Sequence, residues 1–352
     1  MNSKERVITA AKRGKGDRVP LDIWYTIEVR DMLMKHFSTK TESELWKRLH
    51  LDKIVHISPD YIGPQPREFK DGTSEVPPWR YRVKKVNYGP GVYEETVWRP
   101  LQDAARVEDL EKYEWPTADW YDFSTVEKKC DQWPEFAILG GYFSPFAVHN
   151  DLRGLEQSCI DLVAEPEMTE FMLDKIREFH WDYLCRLIEA GKGKIDITEV
   201  TDDFGSQRDL FMSAETYRKW FKPYQRKFVN LAHESGMLVM HHDDGAIRKI
   251  IPDLIEVGID ILNPIQHACP GMEMEGLKRD FGKNLCFHGG VDNQQVLPRG
   301  SVEDVRLEVL DCMRTLGADG GYILAPCHNI QPVTPIENIV TLYETAWNEG
   351  WY

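Results

Sequence analysis

The stretch Met237-Leu238-Val239-Met240-His241-His242-Asp243-Asp244-Gly245, followed by residues 246–257 and then by Asp260-Ile261-Leu262-Asn263-Pro264-Ile265, decides the fold. A short apolar run, an amphipathic stretch and a second apolar run describe a strand, a helix and a parallel strand, joined by a right-handed crossover. Outward from this unit, buried strands are predicted at 19–25, 53–58, 136–143, 195–201, 237–242, 260–265, 285–289 and 321–325. Amphipathic helices are predicted at 3–12, 41–49, 154–162 with 166–189, 214–234, 246–257, 274–281 and 302–316. Eight such units imply an α/β fold of the (β/α)8 TIM barrel type. An open doubly wound sheet is the alternative, but no GxGxxG turn follows any strand, so a dinucleotide site has no signature.

Residues 60–115 break the alternation. Prolines 64, 66, 77, 78 and 100 flank Tyr81 to Val86 and Gly91 to Val97, a pattern that predicts a β-hairpin insertion after the second strand. The chain is therefore read as one barrel domain, 1–352, with 60–115 as an inserted hairpin that either caps the catalytic end or merely decorates it.

With 43 Lys and Arg against 58 Asp and Glu, the formal charge is −15. That balance argues against nucleic acid or an anionic membrane as partner, because the electrostatic attraction that supplies nonspecific affinity is missing. No run of about 18 apolar residues occurs, and Met1-Asn2-Ser3-Lys4-Glu5-Arg6 lacks the apolar centre of a signal peptide, so a cytoplasmic location is expected. Seven cysteines without a CxxC fit free thiols, or a single metal thiolate, better than a disulfide framework.

Active sites of such barrels lie at the C-terminal ends of the strands. There the sequence is strongly polar: Glu199, Asp202 and Asp203 after the fourth strand; His241, His242, Asp243 and Asp244 after the fifth; Asn263 and Gln266 after the sixth; His288 and Asp292 after the seventh; Cys327, His328 and Asn329 after the eighth. Because side chains alternate, either His242 with Asp244 or His241 with Asp243 points inward, and the apolar run before them has both parities.

Several segments carry a family resemblance: Thr201-Asp202-Asp203-Phe204-Gly205-Ser206-Gln207, Met240 to Arg248, Gly258 to Gln266, Phe287-His288-Gly289-Gly290-Val291-Asp292 and Gly320 to Gln331. Ser144-Pro145-Phe146 and Leu152-Arg153-Gly154 add to them. Together they resemble the uroporphyrinogen decarboxylase superfamily, in particular its zinc-dependent methyltransferases that work with cobalamin-carrying proteins. The resemblance implies a zinc ion held by a His-x-Cys element after the fifth strand and a Cys after the eighth. On this chain those positions fall on His242, Asp244 and Cys327, so a carboxylate stands where a thiolate is expected; Glu199 would be a fourth ligand or the partner of the other His242 nitrogen. A literal His267-Ala268-Cys269 follows the sixth strand, the wrong place in the barrel. The alternative use of these groups is a satisfied polar network.

An oxygen ligand leaves zinc a stronger Lewis acid and a poorer activator of a bound thiol. This points to a small methoxylated donor whose methyl group passes to a corrinoid, with Asp203 and His288 as acid or base and Trp24, Tyr142, Asn263 and Gln266 as substrate contacts. Tyr25 and Phe143 would extend the aromatic wall, and Arg153 either anchors an anion or is structural. No Asp-x-His-x-x-Gly element occurs, so the corrinoid must arrive on a separate carrier protein. A homodimer is compatible with the sequence and nothing in it specifies one. The first rival is a metal-independent decarboxylase of a tetrapyrrole or other carboxylated substrate, but Val19 to Trp24 lacks the paired arginines that would grip one. A second rival, a non-catalytic corrinoid or aromatic-ligand binder, sits badly with so many titratable groups at one rim.

Overall fold

The computed structural model describes residues 1–352. Its strands are β1 Ile54–Ile57, β2 Asp60–Tyr61, β3 Thr73–Val76, β4 Tyr81–Asn87, β5 Val92–Trp98, β6 Tyr121–Asp122, β7 Ala137–Phe143, β8 Ile197–Val200, β9 Leu238–His242, β10 Ile261–Asn263, β11 Cys286–Val291 and β12 Tyr322–Pro326. Seven of them, in the order β1-β7-β8-β9-β10-β11-β12, pair in parallel to form a curled sheet consistent with a TIM-like barrel. These strands are short and apolar because helices cover their outer face and their own side chains fill the inner one.

The predicted first strand is not a regular one. Residues 19–25 run between the two edges of the sheet, making parallel bridges at Leu21 with Leu324 and at Tyr25 with Ile330. On one side the Leu324 amide donates to Pro20 O and the Asp22 amide to Leu324 O; on the other the Asp52 amide donates to Leu21 O. The ladder is interrupted because the Ile54 amide donates to the Asp22 carboxylate, at 3.1 Å, rather than to a main-chain carbonyl. Pro20 also removes a donor.

Two helix expectations are corrected by prolines. The predicted 214–234 helix is divided into Ala214–Trp220 and Lys222–Glu234, with Pro223 in the first turn of the second. The predicted 246–257 helix begins later, as a 3-10 turn Arg248–Ile250 followed by Ile251–Val257 with Pro252 near its start. Residues 73–98 form a three-stranded antiparallel sheet, β3-β4-β5. Its turn reaches the segment beyond β12, where the Tyr88 hydroxyl donates to Gln331 Oε1 at 3.1 Å.

The inside of the curled sheet is layered. Ile54, Ala137, Leu139, Ile197, Met240, Ile261, Cys286 and Ile323 form one buried apolar cluster, which Val7, Ala10 and Ala11 of the helix Ser3–Ala11 join. Two residues further along a strand the same face recurs. The next layer is therefore His56, Glu199, His242, Asn263 and His288, so an apolar floor carries a polar site directly above it.

Candidate active site

Met240 on the floor settles the parity left open by the sequence: His242 and Asp244 face inward, while His241 and Asp243 face the packed side. His241 Nδ1 donates to Val200 O at 2.7 Å. Asp243 Oδ1 accepts from the amides of Phe204 and Gly205 at 2.9 and 3.0 Å, which pins the loop after β8 onto the loop after β9. Glycine is required on both sides of that contact. A Cβ on Gly205 would sit 2.1 Å from Asp244 O; Gly245 has φ +88 and its Cβ would meet Ser206 O at 2.3 Å. The motifs 201–207 and 240–248 are thus two halves of one interlocked support.

At the mouth, ligand atoms of His242, Asp244 and His328 all lie within 4.8 Å of one another. Two of the predicted ligands are not part of this group. Cys327 is buried with Sγ 3.2 Å from Ile265 O. Glu199 lines a neighbouring cavity instead, and burial, opposed by His242, raises its carboxyl to about 7. His328, the residue after Cys327, is the third member of the group: β12 ends at Pro326, so strand alternation no longer fixes which side chain turns inward.

The orientation of His242 is set by a buried chain of hydrogen bonds. His242 Nδ1 donates to Asn263 Oδ1 at 2.5 Å, and Asn263 Nδ2 donates to His288 Nδ1 at 2.6 Å. His288 Nε2 then donates to Asp22 Oδ2 at 3.0 Å, while Asp22 Oδ1 accepts from Lys53 Nζ at 3.0 Å. The Nδ1 proton of His242 is thereby committed to the amide, leaving Nε2 to face the site. Burial opposes charge on His242, yet Asp244, Asp203 and the Asn263 acceptor outweigh it and hold the imidazole above its usual value. A place that favours the protonated imidazole despite burial also suits a cation.

This chain changes the roles read for Asn263 and His288. Both are 0% exposed and have their polar atoms engaged within the protein, so neither is a surface that substrate touches; they are positioning residues. Gln266 is likewise occupied, accepting from the Gly245 amide at 2.8 Å and donating to Gln207 at 3.1 Å. Arg153 is buried and bonded to Asp161, Leu101 O and Ala104 O, a structural use. Asp203 is open to solvent, with Oδ1 3.8 Å from His242 Nε2. Tyr142 and Trp24 line a cavity of about 220 Å3 together with His56, Glu199, Thr201, Asp203 and His242. Trp24 stacks on His242 at 5.6 Å between ring centres and donates through Nε1 to Asp22.

Sequence reasoning missed His56 and Lys53. Both lie in the second predicted strand, and the signal that points to His56 is that it shares the parity of Ile54 on the floor. They line a second cavity of about 250 Å3 with Ile23, Trp24, Tyr25 and Asn329.

With a polar site above the floor of a TIM-like α/β sheet, the class is that of an enzyme scaffold. The chain belongs to the uroporphyrinogen decarboxylase (URO-D) family, whose model matches residues 81–348. Among its relatives, the methylcobamide:CoM methyltransferase MtaA of Methanosarcina barkeri is 26% identical over 210 residues, 59% of this chain and 57% of the relative. A uroporphyrinogen decarboxylase of Synechocystis sp. is 26% identical over 186 residues, 52% of this chain and 49% of the relative. The chain thus spans only about half the length of these curated relatives. A methyltransferase from Methanosarcina mazei superposes with a TM-score of 0.64 over 99% of both chains at 21% identity, a likeness of fold. No helix is long and apolar enough to cross a membrane.

Proposed function

We propose that this protein is a corrinoid-dependent methyltransferase that takes a methyl group from a methoxylated small molecule and delivers it to a cobalamin held by a separate carrier protein. The observation that carries the proposal is the convergence of His242, Asp244 and His328 at the mouth of the curled sheet, with His242 Nε2 freed by Asn263. Two imidazoles and a carboxylate are a donor set that zinc accepts, and three protein ligands leave the open position of a catalytic site. These residues fit the ion; when bound, it supplies Lewis acidity toward an ether oxygen.

The remaining work falls to side chains. Trp24 and Tyr142 give the substrate flat apolar surface. Glu199, raised to about 7 by burial, still carries a proton on its carboxyl near neutrality and can hand it to a departing alkoxide or phenolate oxygen. Asp203 and Asp244 keep the site electronegative and so favour a cationic centre. Residues 19–25 act as the eighth barrel strand in this reading, and the three-stranded sheet caps the mouth.

The same family membership admits decarboxylation. Neither cavity that contains Trp24 has an arginine in its wall, however, and Lys53 is the single lysine there, too few cations to grip several carboxylates.

Two measurements test the proposal together: metal content of the purified protein, and conversion of cob(I)alamin to methylcob(III)alamin in the presence of aryl methyl ethers. Bound zinc that is lost in His242→Ala, Asp244→Ala and His328→Ala but kept in Cys327→Ser is expected, along with ether-dependent methylation. Protein that binds no metal and leaves cob(I)alamin unmethylated would overturn it.

A further inference from the structure

The two cavities beside the site share Trp24 and His56 but have opposite chemistry. The one at His242 is walled by Glu199, Asp202 and Asp203. The other holds no acidic residue in its wall and contains Lys53 together with Tyr25 and Asn329. The Lys53 side chain is only 11% exposed, and its ammonium group makes one hydrogen bond, to Asp22. An ammonium has three donors, so two remain to be used. His56 makes no hydrogen bond within the protein and meets Trp24 edge-on at 6.1 Å; a neutral imidazole keeps one N–H to offer. The Tyr25 hydroxyl is already committed to Glu42 and Trp46, so that residue contributes its ring alone.

Unused donors at a nearly buried cation, beside aromatic walls, favour a flat ligand that ends in an acceptor. We infer that Lys53 and His56 form a carboxylate subsite, and that the substrate is an aromatic acid lying across Trp24 with its carboxylate at Lys53 and its reacting end at His242. A carboxylate placed at the other end would instead face the Asp203 carboxylate in the wall around His242. Asp22 is the counter-ion of Lys53, so the subsite draws a carboxylate through the two unused Lys53 donors and the His56 N–H rather than through net charge. The direction of the reacting end rests on the methyl-transfer reading; the carboxylate subsite does not.

The test is calorimetric binding of para-methoxybenzoate and of its methyl ester to the whole protein, without cobalamin. One charge-assisted hydrogen bond is enough to make the acid bind at least about tenfold more tightly than the ester. That ratio should fall to near unity in Lys53→Met and survive in Lys53→Arg. Because Lys53 also neutralises buried Asp22, His56→Phe serves as a second probe that leaves this pair intact and should lower the ratio as well. Equal binding of acid and ester by the unaltered protein, or an unchanged ratio in His56→Phe and in a folded Lys53→Met, would overturn the subsite. The acid preference without any methylation of cob(I)alamin would refute the methyltransferase reading and leave the subsite standing. Methylation from neutral ethers with no acid preference would do the reverse.

Discussion

At the scale of single residues, Asn263 matters more than its neutral amide suggests. It accepts from His242 and donates to His288, both from a fully buried position, so it fixes two imidazole tautomers at once. Truncation to alanine leaves a buried N–H and a buried ring nitrogen without partners, each costing about 1–3 kcal/mol. It also releases the proton that keeps Nε2 of His242 available. Asn263→Ala should therefore lower stability in urea by a few kcal/mol and weaken zinc binding roughly 10- to 100-fold in competition with a chelator. A variant with unchanged metal affinity would mean that the Asn263 link does not govern His242. Asp22 closes the other end of the chain: burial opposes its charge, yet Lys53 and His288 outweigh burial and hold its carboxyl well below the usual range. The network is anchored by an ionised group, which is why His288 keeps its Nε2 proton directed at Asp22.

At the scale of elements, two helices carry histidines that have to remain neutral. His149, in the helix Pro145–Arg153, pairs through Nδ1 with Ser158 Oγ at 2.7 Å and has no partner for Nε2. His180, in the long helix Pro166–Gly191, donates to Ile176 O and stacks against Trp79 of the segment between β3 and β4. Burial lowers each to about 4. An unfolded histidine titrates near 6.5, so between that value and about 4 the unfolded chain binds the extra proton. Stability is thus complete above this window and falls as the pH drops through it. Each histidine should contribute a loss of about 2 kcal/mol at most between about pH 6.5 and 5. His180→Phe, which keeps the stack on Trp79, should show a correspondingly smaller decline in urea unfolding over that range. An identical decline would assign the acid sensitivity to other groups.

At the scale of the whole molecule, much of the architecture was legible in the sequence because buried parallel strands are contiguous apolar runs separated by helical periods. Residues 237–265 announced their βαβ unit in that way. The closing segment was legible as apolar chain but not as an interrupted ladder, since nothing in a residue string tells that an Asp22 oxygen replaces a main-chain acceptor. In the site, the strand-end rule left His242 with Asp244 and His241 with Asp243 both open, and the family resemblance chose the first pair; Met240 on the floor puts that pair on the inward face. His328 was not singled out beside Cys327, because alternation fails beyond the end of a strand. Asp52, just ahead of the predicted strand 53–58 and unremarked in the sequence, holds the closure together. It is 0% exposed and accepts from Arg6 at 2.5 Å, from Arg18 at 2.7 and 3.1 Å and from the Leu21 amide at 3.0 Å. A single carboxylate therefore ties the floor helix, the closing segment and the approach to β1. Removing it strands the largely buried Arg18 guanidinium, Arg6 retaining its pair with Asp17, a loss of about 3–5 kcal/mol when one partner of a buried pair is deleted. Asp52→Ala should show that destabilisation in urea unfolding, together with faster hydrogen exchange at the Asp22 and Leu324 amides. A cost under about 1 kcal/mol, within the range of an exposed pair, would transfer the closure to the apolar packing of Leu21 and Ile23 instead.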